Sequence, residues 1–127
     1  MKKYSLKKYG NLFYTICAVK GQSEVVTCKL LIDTGASFTI LPWELLDNLG
    51  YNLIISKKKI RLISATGSII APLIKVDWIH SLGTRFESFP VVAYTLPKDM
   101  YIDGILGIDF LKKAKVQIDV FNGRVMI

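Results

Sequence analysis

Apolar and polar residues alternate along most of this chain, and glycine-containing turn signals interrupt the alternation. Segments 11–20 (NLFYTICAVK) and 23–33 (SEVVTCKLLID) flank Gly21-Gln22, a pattern that predicts a β-hairpin. KIRLIS and SIIAPLIKV surround Thr66-Gly67 and predict a second hairpin, and HSLGTR (80–85) turns the chain back into FESFPVVAYTL. Near the C terminus, VQIDVF and RVMI flank Asn122-Gly123, the strongest two-residue hairpin signal. A two-residue turn there sets Val120 opposite Val125 and Ile118 opposite Ile127. Asp119–Met126 and Phe121–Arg124 then share the other face, so one face is wholly apolar.

Helical signals are brief. In PWELLDNLG (42–50), Pro42 suits the first turn and Gly50 the residue past the end of a helix of about two turns. IDFLKKA (108–114) predicts one or two further turns. The sum is an all-β fold, a small barrel or closed sandwich with one or two short helices. No repeat, linker or low-complexity segment interrupts it, and 127 residues fit a single domain over 1–127.

With 51% apolar and 21% charged residues the chain reads as globular. No segment reaches the roughly 18 uncharged apolar residues of a membrane span, so no membrane partner is expected. Met1-Lys2-Lys3 resembles the start of a signal peptide, but Lys7 and Lys8 interrupt it and no apolar region follows. An intracellular, cytoplasmic location is expected. The net charge of +7 raises nucleic acid as a partner. The basic residues, however, fall in short scattered runs, Lys57-Lys58-Lys59 and Lys112-Lys113-Lys115, that read as a solvated face. Two cysteines and one histidine do not make a zinc set, so no metal is expected. His80 is the only imidazole, which disfavours a Ser/His or Cys/His enzyme. Cys17 and Cys28 share the first hairpin; a disulfide is open to them, though an intracellular chain disfavours it.

The chemistry concentrates in LLIDTGASFTILP (30–42). Asp33 sits between apolar flanks at the end of a strand, followed at once by Thr34 and Gly35. A carboxylate is seldom set in such surroundings without a function. Thr34 can lock the turn with its hydroxyl, and Gly35 permits close backbone approach or a positive φ.

This segment resembles the active-site loop of retropepsin-like aspartic proteases. Asp-Thr-Gly alone is a weak signal, but three further features follow in the family's order. SATGS (64–68) falls where the family has its flap hairpin. DGILGIDFL (103–111) resembles its second signature, two apolar residues then glycine before a short helix. A strand pair closes the chain. The resemblance covers residues 11–127 and implies a closed acid-protease barrel and an aspartic endopeptidase. No cofactor is implied. In that family two aspartates share one proton. The ionised one activates a water that attacks the scissile carbonyl, and the protonated one donates to the carbonyl oxygen.

One Asp-Thr-Gly supplies one carboxylate. By the resemblance, Asp103 and Asp109 belong to structural positions; Asp47, Asp77, Asp99 and Asp119 read as surface groups. The resemblance therefore implies a homodimer in which Asp33 of two chains meets on a two-fold axis and Thr34 grips its partner. The implied catalytic set is Asp33, Thr34 and Gly35. Ala65, Thr66, Gly67 and Ser68 form the implied flap over a peptide or protein substrate. Ile69 and Ile70, with Leu41 and Phe38, wall the side-chain pockets and favour apolar residues at the cleavage site. Pro72 cannot donate a ladder hydrogen bond, which places its strand at an edge, as a movable flap requires.

Two departures stand out. Where retroviral chains carry an Asp and an Arg that pair, this one has Ser37 and Ile108. The C-terminal hairpin also runs beyond the viral end and implies a different interface sheet. A non-enzymatic dimeric binding module of the same fold is the alternative reading. A nucleic-acid-binding barrel lacks the exposed aromatic pattern it would need.

Overall fold

The computed structural model describes residues 1–64 and 67–127. Ala65 and Thr66, expected in the flap, lie outside the described residues. Eleven strands and two short helices follow one another among the described residues. They are β1 (Lys3–Ser5), β2 (Lys7–Tyr9), β3 (Leu12–Lys20), β4 (Val25–Ile32), β5 (Ile40–Leu41), α1 (Trp43–Asn48), β6 (Lys59–Ser64), β7 (Gly67–Ser81), β8 (Thr84–Ala93), β9 (Gly104–Leu106), α2 (Ile108–Lys113), β10 (Gln117–Asp119) and β11 (Arg124–Met126).

The main sheet runs β2-β3-β4-β9-β5-β8-β7-β6, and an additional β3–β7 pairing closes the six central strands into a barrel. Closure removes the edges an open sheet would leave. β2 and β6 hang on the outside of the ring. Inside, Cys17, Val19, Leu30, Leu41, Val76, Ile79, Val91, Leu106 and Phe110 form the main core. Cys17 and Val19 on β3, Cys28 and Leu30 on β4, and Phe89, Val91 and Ala93 on β8 keep the period-2 alternation read in the sequence, while on β7 Val76 and Ile79 are three apart.

The first hairpin forms, with a longer connection than expected. Lys20 pairs with Val25, so the connection spans four residues, and Gly21 N–H donates to Glu24 O at 2.8 Å. Gly21 is a close-packing glycine: a Cβ there would lie 2.6 Å from Leu49 O. Cys17 and Cys28 face each other across this hairpin as free, buried thiols. Hydrogen bonding to Cys28, together with burial, pushes the Cys17 thiol up.

Pro42 sits at the N-cap of α1, and Gly50, at φ +95°, lies just past its end. The β7–β8 turn is tight: Leu82 and Gly83 both take positive φ, 51° and 66°. That combination is the mirror-image hairpin turn, unusual for leucine and offset by burial of its side chain.

Pro72 does not lie on an edge strand as such, because β7 pairs with β6 on one side and β8 on the other. The β8 ladder begins only at Leu73, so residues 67–72 pair with β6 alone. The hairpin thus projects beyond the sheet as a two-stranded ribbon, and the missing N–H of Pro72 falls just outside the β8 ladder.

The C-terminal hairpin departs from the expected register. Ile118 pairs with Val125 and Asp119 with Arg124, leaving a four-residue turn at 120–123. The Asp119 carboxylate explains it, accepting Asn122 N–H at 3.0 Å and the Asn122 side-chain amide at 2.8 Å, and pairing with Arg124 at 3.3 Å. A two-residue turn would forfeit those bonds. Ile118 and Val125 still face the core, while Val120 and Phe121 are left exposed. β1 pairs with β11 of its own chain, giving a separate sheet in the order β1-β11-β10. Lys2 and Ile127 exchange backbone hydrogen bonds at 2.9 Å in both directions.

Candidate active site

Asp33 is the first residue beyond β4. Its backbone N–H still donates to Leu106 O at 3.1 Å, so β9 holds the residue against the barrel. The chain then turns. Ala36 N–H donates to Asp33 O at 3.2 Å, and Gly35 N–H donates to Asp33 Oδ1 at 2.9 Å. The second bond aims the half-buried carboxylate and leaves Oδ2 free of partners among the described residues. Gly35 has no positive φ; its role is close approach, since a Cβ would sit 3.3 Å from Asp33 Oδ1. The Thr34 side chain is exposed, and its hydroxyl makes no hydrogen bond among the described residues.

Beneath this loop lies a buried polar link. Thr39, fully buried, donates its N–H to Asp109 Oδ2 at 2.9 Å and its hydroxyl to Asp109 Oδ1 at 2.8 Å. Asp109 Oδ1 also accepts the N–H of Phe110 at 2.8 Å. Thr39 Oγ1 in turn accepts Gly107 N–H at 3.2 Å, and Ile108 N–H donates to Ala36 O at 2.8 Å. The start of α2 is thereby bolted to the underside of the Asp33 loop. Gly107 is required there, because a Cβ would lie 2.7 Å from the Phe38 backbone and 2.9 Å from Ala36 O. Gly104 meets the same demand, with Ile40 O only 2.1 Å from its would-be Cβ. The two glycines of DGILGIDFL thus mark where β9 and α2 pass against β5 and the loop.

Asp33 opens into a cavity of about 630 Å³. Its floor and walls include Phe38, Ile40, Tyr94, Leu96 and Ile105, and the hairpin covers it with Leu62, Gly67, Ser68 and Ile69. Among the described residues, Asp33 is the only carboxylate on this lining. Of the expected pocket walls, Phe38 and Ile69 line it. Leu41 is fully buried in the core. Ile70 is exposed on the opposite face of the ribbon, because side chains alternate and Ile69 already faces inward. Tyr94, Leu96 and Ile105 were not legible as site residues: they arrive through crossover connections, without a local signal.

Asp103 is remote from this cleft. Its carboxylate accepts Lys29 N–H, and its own N–H donates to Lys29 O, both at 2.8 Å. The β4–β9 register sets it level with Lys29, four residues or about 13 Å along the strand from Asp33. No group of three or more His, Cys, Asp or Glu among the described residues could hold a metal.

A six-stranded β-ring, an Asp-Thr-Gly loop braced from below by a buried Thr–Asp link, and a hairpin over the resulting cleft define an acid-protease fold. Residues 16–110 match the family model described as "Aspartyl protease", and the chain belongs to that family. It is 29% identical over 126 residues to the retrovirus-related Pol polyprotein from transposon 412 of Drosophila melanogaster; the match covers 92% of this chain and 9% of that polyprotein. The fold matches the crystal structure of a retropepsin-like aspartic protease from Rickettsia conorii. That superposition has a TM-score of 0.71 and 22% identity, and covers 100% of this chain and 99% of the other. No helix among the described residues is long and apolar enough to cross a membrane.

Proposed function

We propose that this chain is an aspartic endopeptidase whose active site is completed by a second copy of itself. The observation that carries the reading is the carboxylate of the cleft: Asp33 is aimed by Gly35 N–H into a peptide-sized cavity, with no second acid among the described residues that line it. In the aspartic-protease mechanism two carboxyl groups share one proton, because like charges this close cannot both ionise. Asp33 of a second protomer supplies the other. The ionised carboxylate takes a proton from a water held between the pair, and that water attacks the scissile carbonyl. The protonated partner donates to the developing oxyanion, and a proton then passes to the leaving nitrogen.

Thr34 favours this arrangement. An exposed hydroxyl beside Asp33, free of hydrogen bonds among the described residues, is available to the partner's loop across the axis. The hairpin at Gly67 and Ser68 covers the bound peptide, and the apolar lining selects apolar side chains around the cleaved bond. Ile70, on the outer face, stays a flap residue without a pocket contact.

The test is cleavage of a peptide library by wild type and Asp33→Asn at equal concentration. The expected result is cleavage between apolar residues that falls at least ~10³-fold in the variant. Equal cleavage by both, or none by either, contradicts an Asp33-dependent protease; the second outcome is what an inactive binding module would give.

A further inference from the structure

Between Asp47 and Asp77 the chain carries no acidic residue, and five cations stand in that interval: Lys57, Lys58, Lys59, Arg61 and Lys75. The structure sets the first three beside exposed isoleucines. Ile54 and Ile55 occupy the tip of the turn before β6 and are 83% and 70% exposed. That turn is held in place. Leu53 is buried, and the Ser56 hydroxyl reaches the carbonyls of Lys58 and Leu73 at 3.1 and 3.0 Å.

The same chemistry continues along the ribbon. Ile60 and Leu62 pack inward against Ile40, Ala71 and Val92. Alternation turns Lys59 and Ile70 to the other face, whereas Arg61 and Ile63 belong to the lining of the Asp33 cavity. Ile70 is 65% exposed.

We infer that this surface, the Ile54–Ile55 turn with the outer face of the ribbon, docks on an anionic lipid bilayer. Rigidly presented isoleucines enter the boundary between headgroups and acyl chains, and the neighbouring cations meet the headgroup phosphates. Nucleic acid fits less well. The stretch from 52 to 76 contains no aromatic residue for base stacking, and three exposed isoleucines gain nothing on a phosphate backbone. Peripheral docking needs no spanning helix, so the expectation of no membrane partner, which rested on span length, does not bear on it.

The experiment uses the full chain as Asp33→Asn, to prevent self-cleavage, and co-sedimentation with vesicles. One set is phosphatidylcholine alone and the other contains phosphatidylglycerol. Binding is expected only to the anionic set. The pair Ile54→Ser/Ile55→Ser, which alters exposed side chains and leaves the charge unchanged, should weaken it about tenfold or more. Each of Lys57→Gln and Lys58→Gln should weaken it about fivefold. Thermal unfolding of each variant checks that the fold is kept.

Four results would overturn the inference. One is no binding to anionic vesicles. Another is binding that survives the isoleucine substitutions and vanishes in high salt, which marks charge adsorption alone. A third is tighter binding to single-stranded RNA than to the vesicles. The last is self-association without lipid that the isoleucine substitutions abolish, which assigns the surface to a second copy. None of these depends on proteolytic activity.

Discussion

Asp109 holds no place in the cleft, yet its carboxylate satisfies three donors beneath it: the N–H and hydroxyl of Thr39 and the N–H of Phe110. Removing it strands buried donors, and an unsatisfied buried polar group costs about 1–3 kcal/mol. Asp109→Ala should therefore lose roughly 3 kcal/mol or more of unfolding free energy in urea, with Asp109→Asn losing less. Equal stability of Asp109→Ala and wild type would show that the link bears nothing.

Ala36 sets a second expectation at this scale. It follows Asp-Thr-Gly where a serine hydroxyl could hydrogen-bond the catalytic carboxylate and favour its ionised form. Alanine offers no such donor, and Ala36→Ser would supply one. In the proposed site the upper limb of kcat/KM against pH should then move toward acid in Ala36→Ser. An unmoved limb would assign control of the pair elsewhere.

Elements show how far sequence patterning reaches. Period-2 alternation located β3, β4, β7 and β8, and the Pro42 and Gly50 signals bracketed α1, because these depend on neighbours in the chain. The Asp33 loop was legible for the same reason. Register at the C-terminal turn was not. Asn122-Gly123 favours a two-residue loop locally, but the Asp119 carboxylate captures both Asn122 donors and Arg124, and the turn widens by two residues. The Thr39–Asp109 link and the Tyr94, Leu96 and Ile105 walls also escaped, since 70 residues separate the partners of the first and crossovers deliver the others.

The Asp119 bonds carry a pH signature. Hydrogen bonds from Asn122, with Arg124 nearby, hold the Asp119 carboxyl below its ordinary range. A carboxyl depressed by folding stabilises the folded state above its unfolded value. That contribution is lost as pH falls from about 4 through the lower folded value. The thermal midpoint of wild type should drop more steeply across that window than that of Asp119→Asn. Parallel curves would mean that the turn does not depend on this charge.

At the scale of the whole molecule, the barrel closes on itself and the termini pair within the chain, and among the described residues the cleft holds one carboxylate where the proposed chemistry needs two. Specific activity should therefore fall on dilution below the dimer dissociation constant. The most direct measurement mixes wild type with Asp33→Asn at fixed total concentration, above that constant, after time for exchange. If two Asp33 side chains form each site, activity follows the square of the wild-type fraction. An equal mixture then retains about a quarter of the activity of the same total of wild type by random pairing. Activity that instead falls in simple proportion to the wild-type fraction, to about half in the equal mixture, would show that each chain works alone and would contradict the shared site.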